Sequence, residues 1–176
     1  EIKQLAQAFN KMALRLYRSR RKLDKYFYHT VQALIRILEA RDRYTRGHSE
    51  RVSEYAEKIA VRMGFTSEAI VLLRDAALIH DIGKLGVQES ILNKKETLTG
   101  EEWEAIRHHP VIAEDILKPL LRNKEMLAMI RGHHERYDGS GYPRGLKGGA
   151  ISQIGAIASI VDSFDMLTAP APYGMQ

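Results

Sequence analysis

Cysteine is absent from this 176-residue chain. Disulfides and thiolate metal sites are thereby excluded, and any metal must be held by nitrogen and oxygen ligands. A cysteine-free chain fits a reducing compartment. No apolar run approaches the ~20 residues that cross a bilayer. The most apolar stretches, 69–73 and 76–79, are parted by Arg74 and Asp75. A signal-peptide pattern is lacking too, because Glu1 opens a charged segment with no apolar core behind it. Together these absences lead to the expectation of a cytoplasmic location. The missing initiator methionine suggests a piece of a longer protein. Convincing period-2 alternation is also missing, so no strand is expected, and there is neither an internal repeat nor a low-complexity segment.

What is present is 44% apolar residues, enough for a buried core, in a length with room for one domain and an appendage. The net charge of +5 is unevenly placed. Residues 1–42 carry ten basic and four acidic side chains, which leaves seventeen basic and eighteen acidic in 43–176. A nucleic-acid footprint would need basic residues spread over a folded face, so no nucleic-acid polymer is expected as partner. The basic cluster at 18–25 reads first as a solvated helix face, and second as an attraction to an anionic membrane surface or an acidic neighbour.

From Ile2 the apolar residues fall at Leu5, Phe9, Met12, Leu16, Leu23 and Tyr26, alternating spacings of three and four with a gap at Ser19. This heptad pattern predicts a long coiled-coil helix. A second stripe, Val31, Leu34 and Leu38, is offset from it, which marks a hand-over to a globular domain. Next comes a helical face of Val52, Tyr55, Ala56, Ile59, Ala60 and Met63, stopped by Gly64. A helix over 68–80 is apolar almost all round and should be central. Thr99 and Glu102 form a capping box for a helix through Trp103 and Ile106. Further helices are predicted over 111–121, 124–134 and 152–167, the last with Ile154, Ile157, Ala158 and Val161 inward. A glycine-rich loop runs from Asp138 to Gly149.

The histidines stand at unusual places. His80 and Asp81 end a buried-type helix, His133 and His134 end another, His108 and His109 precede Pro110, and His48 follows Gly47. Asp162 lies within the last apolar helix. A single histidine in such a position is most often a hydrogen-bonded core residue. Several of them, with buried-type aspartates, are most economically satisfied by metal. Imidazole and carboxylate suit Fe, Mn or Zn. Asp81 could bridge two ions, and such a pair can activate water for in-line attack at phosphorus. Lys84, three residues on, could meet a phosphate oxygen or assist the leaving group.

His80-Asp81-Ile82-Gly83-Lys84 resembles the core motif of HD phosphohydrolases. The segment from His133-His134-Glu135 through Asp138-Gly139 to Gly141-Tyr142-Pro143 resembles the signature of the HD-GYP subfamily. Two other stretches, Tyr44 to Val52 and Val161 to Asp165, resemble that family as well. The resemblance implies an all-α fold, an HD-type helical bundle at 39–176 preceded by a coiled-coil helix at 1–38. It implies hydrolysis of cyclic di-GMP to pGpG or GMP at divalent ions, Fe or Mn foremost, with Zn, Ni or Co accepted. By position the metal ligands should be His48, His80, Asp81, His109, His133, His134 and Asp162. Asp81 and Lys84 should carry catalysis, and Lys84, Tyr142 and Asp42 should touch substrate. His108 and His29 need no role, and Asp165 should be a structural helix residue.

Two departures stand out. The glutamate that gives some family members a third metal is Tyr44 here, so two ions are expected. The Arg-Pro-Tyr-Arg-like stretch that follows the last aspartate reads Ala171-Pro172-Tyr173-Gly174, and the family's trailing helices are absent. Ala171→Arg should therefore lower the Michaelis constant, and an unchanged constant would argue against that role. A non-catalytic signalling module, binding nucleotide or diguanylate cyclase domains, is the alternative reading, with another cyclic dinucleotide as substrate a third. The first twelve residues resemble the second helix of a HAMP linker, which implies a parallel homodimer and a membrane-anchored parent.

Overall fold

The computed structural model describes residues 2–42 and 47–169, apart from the side chain of Asp24. Every regular element among them is helical: α1 (Ile2–Arg41), α2 (His48–Arg62), α3 (Ser67–Ile79), α4 (Glu89–Leu92), α5 (Gly100–Arg107), α6 (His109–Leu117), α7 (Lys124–Gly132) and α8 (Gln153–Thr168). Two 3-10 turns, Ile82–Gly86 and Gly148–Ala150, lie between α3 and α4 and between α7 and α8. The all-α expectation is met. No helix among the described residues is long and apolar enough to cross a membrane.

Contacts divide the chain after Leu34. In the first unit, α1 leaves the heptad residues Ile2, Leu5, Phe9, Met12, Leu16, Leu23 and Tyr26 exposed along one stripe. In the second unit the last turns of α1 bury Ile35 and Leu38.

Within that second unit α2 lies against α3 and α8, α7 against α3, α6 and α8, and α6 against the first 3-10 turn. Small residues make the approaches close. Ala56 and Ala60 of α2 and Ala76 and Ala77 of α3 are fully buried, with Val52, Leu73 and Ile79 filling between. Met63, expected inward, is exposed. It lies just past α2, where Gly64 at φ 75° turns the chain. The Phe65 and Gly64 amides donate back to Ala60 and Val61, a Schellman ending.

Caps fix the starts. Thr66, Asn123 and Ser152 cap α3, α7 and α8, and the Thr99–Glu102 capping box opens α5 as read from sequence. The helix expected over 111–121 instead covers His109–Leu117, because Pro110 suits the first turn and Pro119 has no N–H with which to continue the ladder. A β-carbon at Gly83 would collide with the His109 carbonyl and the Ala113 amide. Only glycine lets the first 3-10 turn seat against α6, and this seating brings His109 to Asp81.

Candidate metal centre

Three histidines are set in place by one repeated device. His80, His109 and His133 each donate Nδ1–H to the carbonyl three residues back, on Ala77, Ile106 and Ile130, at 2.6 Å. Each is thereby held as the tautomer whose Nε2 carries a lone pair. All three rings are 1–2% exposed. His48 is held differently. Its Nδ1 donates to Asp165 Oδ2 at 2.8 Å, and Arg51 grips both oxygens of the same carboxylate at 2.7 and 2.8 Å. Glu39 takes the amides on either side of His48, those of Gly47 and Ser49. This carboxylate also favours the positive end of α2.

The Nε2 atoms converge on two carboxylates. Asp81 Oδ1 is 3.3 Å from His109 and 3.9 Å from His133, while Oδ2 is 3.6 Å from His80 and 4.0 Å from His48. Asp162 Oδ1 is 3.1 Å from His48 and 3.9 Å from His80, and Oδ2 is 3.7 Å from Nδ1 of His134. Two groups of ligand spacing result, Asp81 with His109, His133 and His134, and His48 with His80 and Asp162.

The residues present fit divalent cations. Nε2 of His80 is buried without any hydrogen-bond partner, a costly state for a lone pair in a protein interior. Nε2 of His109 and of His133 face each other at 3.3 Å, and with both Nδ1 atoms protonated no hydrogen lies between them. A positive charge resolves both features. Imidazole and carboxylate oxygen together are a donor set for Fe, Mn, Zn, Ni or Co.

Electrostatics agrees. Burial pushes His134 down to about 3, helped by the His109 ring. Burial also lowers His80, against the pull of Asp81 and Asp162, and lowers His133 far below the usual histidine range, with His134, His80 and His109 adding to the effect. These three rings are neutral and ready to ligate. His48 is raised, because hydrogen bonding to Asp162 and the charge of Asp81 together outweigh burial. A cation entering there displaces a proton. Asp81 is lowered well below the carboxylate range despite burial, chiefly by Lys84 and then His80.

Lys84 Nζ is 2.6 Å from Asp81 Oδ2 and 3.6 Å from Asp42. Burial opposes its charge, but Asp81 and then Asp42 more than offset this and raise its pKa. Asp42 is buried at the end of α1. The Tyr142 ring stacks on His134 at 4.7 Å between centroids. Burial first, then Asp81, raises its phenol, which stays neutral. All ten residues named from the sequence thus gather at one place. His108 and His29 are exposed and outside it. Tyr44 and the stretch at 171–174 lie outside the described residues.

Two roles escaped the sequence reading. Asp165 does orient a histidine rather than merely finish a helix. Glu135, 1% exposed, accepts the Arg144 and Leu146 amides at 2.8 Å each and so ties down the loop that carries Tyr142. Its place next to His133-His134 was the available signal.

The HD domain family matches residues 32–176. The chain belongs to that family. The HD domain is similar to a Vibrio cholerae protein named 3′3′-cGAMP-specific phosphodiesterase 3, 43% identical over 150 residues, covering 85% of this chain and 33% of the relative. It is similar to a Thermotoga maritima cyclic di-GMP phosphodiesterase, 38% identical over 154 residues, 85% of this chain and 41% of the relative. A Xanthomonas campestris cyclic di-GMP phosphodiesterase response regulator, RpfG, is 35% identical over 179 residues, 98% of this chain and 47% of the relative. The chain thus spans a third to just under a half of these relatives. The two signatures around His80 and His133 are consistent with the HD-GYP subfamily.

Proposed function

We propose that this HD domain hydrolyses a phosphodiester of a cyclic dinucleotide, cyclic di-GMP foremost, to pGpG or GMP. The supporting observation is the Asp81 carboxylate, which turns one oxygen toward His109 and His133 and the other toward His80 and His48. In this reading His109, His133 and His134 would hold one cation and His48, His80 and Asp162 another, with Asp81 supplying a carboxylate oxygen toward each group. Divalent ions so held, Fe or Mn foremost, would supply the activation of water at neutral pH and the neutralisation of phosphoryl oxygen charge. The protein's own groups do the rest. Lys84, kept an ammonium, presents hydrogens from Nζ to a phosphoryl oxygen or to the departing oxygen, and Asp42 holds it. Tyr142 remains a phenol that donates to substrate. The burial of the histidine cluster excludes bulk water from the reacting phosphate.

The test is an anaerobic assay of metal-loaded protein with Fe(II) or Mn(II), with chromatography of products and elemental analysis. Expected are pGpG or GMP, about two ions per chain, and at least ~100-fold loss in Asp81→Asn, whose amide cannot supply two anionic oxygens. Three ions would contradict the two-ion reading. No hydrolysis by a full-length parent would favour the binding module, with nucleotide or diguanylate cyclase domains as its partners. The 43% identity to a 3′3′-cGAMP-specific relative favours a second substrate, so that nucleotide belongs in the same assay.

The domain division at 1–38 and 39–176 belongs to the same proposal, with a parallel homodimer formed along the exposed heptad stripe of α1 and a HAMP-bearing, membrane-anchored parent. Sedimentation tests the dimer, which Leu16→Glu should split.

A further inference from the structure

Arg107 occupies the last turn of α5, two residues before His109. Its guanidinium carbon lies 5.7 Å from the centroid of Tyr142 and 5.9 Å from that of Trp103. Tyr142 is in turn stacked on His134. Arg107 is thus one ring removed from the proposed metal cluster, on its Tyr142 side, and is half exposed there. That wall is fixed. Both oxygens of Glu135 hold the loop beyond Tyr142, the Tyr142 amide donates to the His134 carbonyl at 3.2 Å, and a β-carbon at Gly141 would strike the backbone of residues 134–136.

The ordinary uses of such an arginine do not account for its placement. A cation in a last turn favours the helix dipole, but only modestly when exposed. The pairing with Glu104 at 3.3 Å joins side chains 51% and 73% exposed, and such pairs contribute little. Neither use requires the side chain to lie across two aromatic faces. Resting there orients the guanidinium and leaves the N–H groups other than the one given to Glu104 available to an anion. Lys84 by contrast, held by Asp81 and Asp42 at the cluster, is placed for the reacting phosphate.

A cyclic dinucleotide carries two phosphodiesters in one small ring. One must sit at the cluster for reaction, so the charge of the other is left unmatched. We propose that Arg107 binds the phosphate that is not being cleaved, by donating from its guanidinium to the non-bridging oxygens. This rests on the phosphodiesterase reading above. It makes Arg107 a substrate-binding residue specific to ligands with a second phosphate.

The experiment compares wild-type protein, Arg107→Ala and Arg107→Lys, each metal-loaded, on cyclic di-GMP and on bis(p-nitrophenyl) phosphate, which has a single phosphate. Loss of a charge-assisted contact corresponds to roughly tenfold to hundredfold. Arg107→Ala should therefore lose at least about tenfold more kcat/KM on cyclic di-GMP than on the single-phosphate substrate, mainly through KM. Arg107→Lys should recover part of that loss, because an ammonium still meets a phosphate as a point charge. Equal losses on both substrates would overturn the proposal, and so would a lysine variant as poor as the alanine, which would point to a planar contact with a base instead. Wild-type protein that cleaves bis(p-nitrophenyl) phosphate but not a cyclic dinucleotide would remove the substrate reading, and this inference with it.

Discussion

An imidazole that has given its Nδ1 hydrogen to a carbonyl has only a lone pair left to offer. At His80, His109 and His133 that carbonyl belongs to the residue three positions back, so local helix geometry fixes the tautomer. His48, the first residue of α2, does not use such a carbonyl. Asp165 substitutes for it, steadied by Arg51. Asp165→Asn keeps the shape but removes the charge and one of the acceptors that His48 and Arg51 share. Outer-sphere partners of this kind are worth about 10- to 100-fold in metal affinity. Chelator competition should show a Kd weakened in that range, and an unchanged Kd would refute the orienting role. The residues that gather here were legible in the sequence from paired histidines at the ends of apolar helices, together with the resemblance to the HD-GYP motifs. Asp165 was not, because one aspartate on a helix carries no sign of its partner 117 positions away.

At the scale of elements, the loop between α7 and α8 depends on one buried carboxylate. Glu135→Gln leaves one accepting oxygen and sets an amide NH2 against a backbone N–H. One buried donor then goes unmet, at a cost of about 1–3 kcal/mol. Tyr142 should lose its register over His134. The expected readout is a raised KM for cyclic di-GMP with the full metal content retained. Loss of metal in proportion to loss of activity would mean that Glu135 serves the cluster rather than the loop. The long helices were legible from period and caps, down to the Thr99–Glu102 box. The four-residue α4 and the 3-10 turn at Ile82–Gly86 were not, since neither is long enough to show a period. The 3-10 turn matters most, because its Gly83 makes room for α6.

For the whole domain, the cluster ties stability to pH when metal is withdrawn. His134 is held near 3 in the folded chain against 6.5 unfolded. Between these values the unfolded chain binds more protons, so stability falls as pH drops below about 6.5, and the loss is complete only below the folded value. From pH 7 to pH 5 this amounts to about 2 kcal/mol for His134 alone. His80 and His133 act in the same direction, and His48, whose pKa is raised, opposes them. Urea unfolding of chelator-treated protein should show a lower midpoint at pH 5 than at pH 7. A higher midpoint would show that His48 dominates.

The three tethering carbonyls, on Ala77, Ile106 and Ile130, belong to the last turns of α3, α5 and α7. Three helices therefore end at this cluster, beside Asp81 and Asp162, while α2 and α6 begin there at His48 and His109. With helix ends of both signs present, the buried carboxylates of Asp81 and Asp162 are what favours a cation here and opposes a doubly anionic ring. On the proposed function, ions should load before nucleotide, so cyclic di-GMP should bind more weakly to chelator-treated protein than to metal-loaded protein.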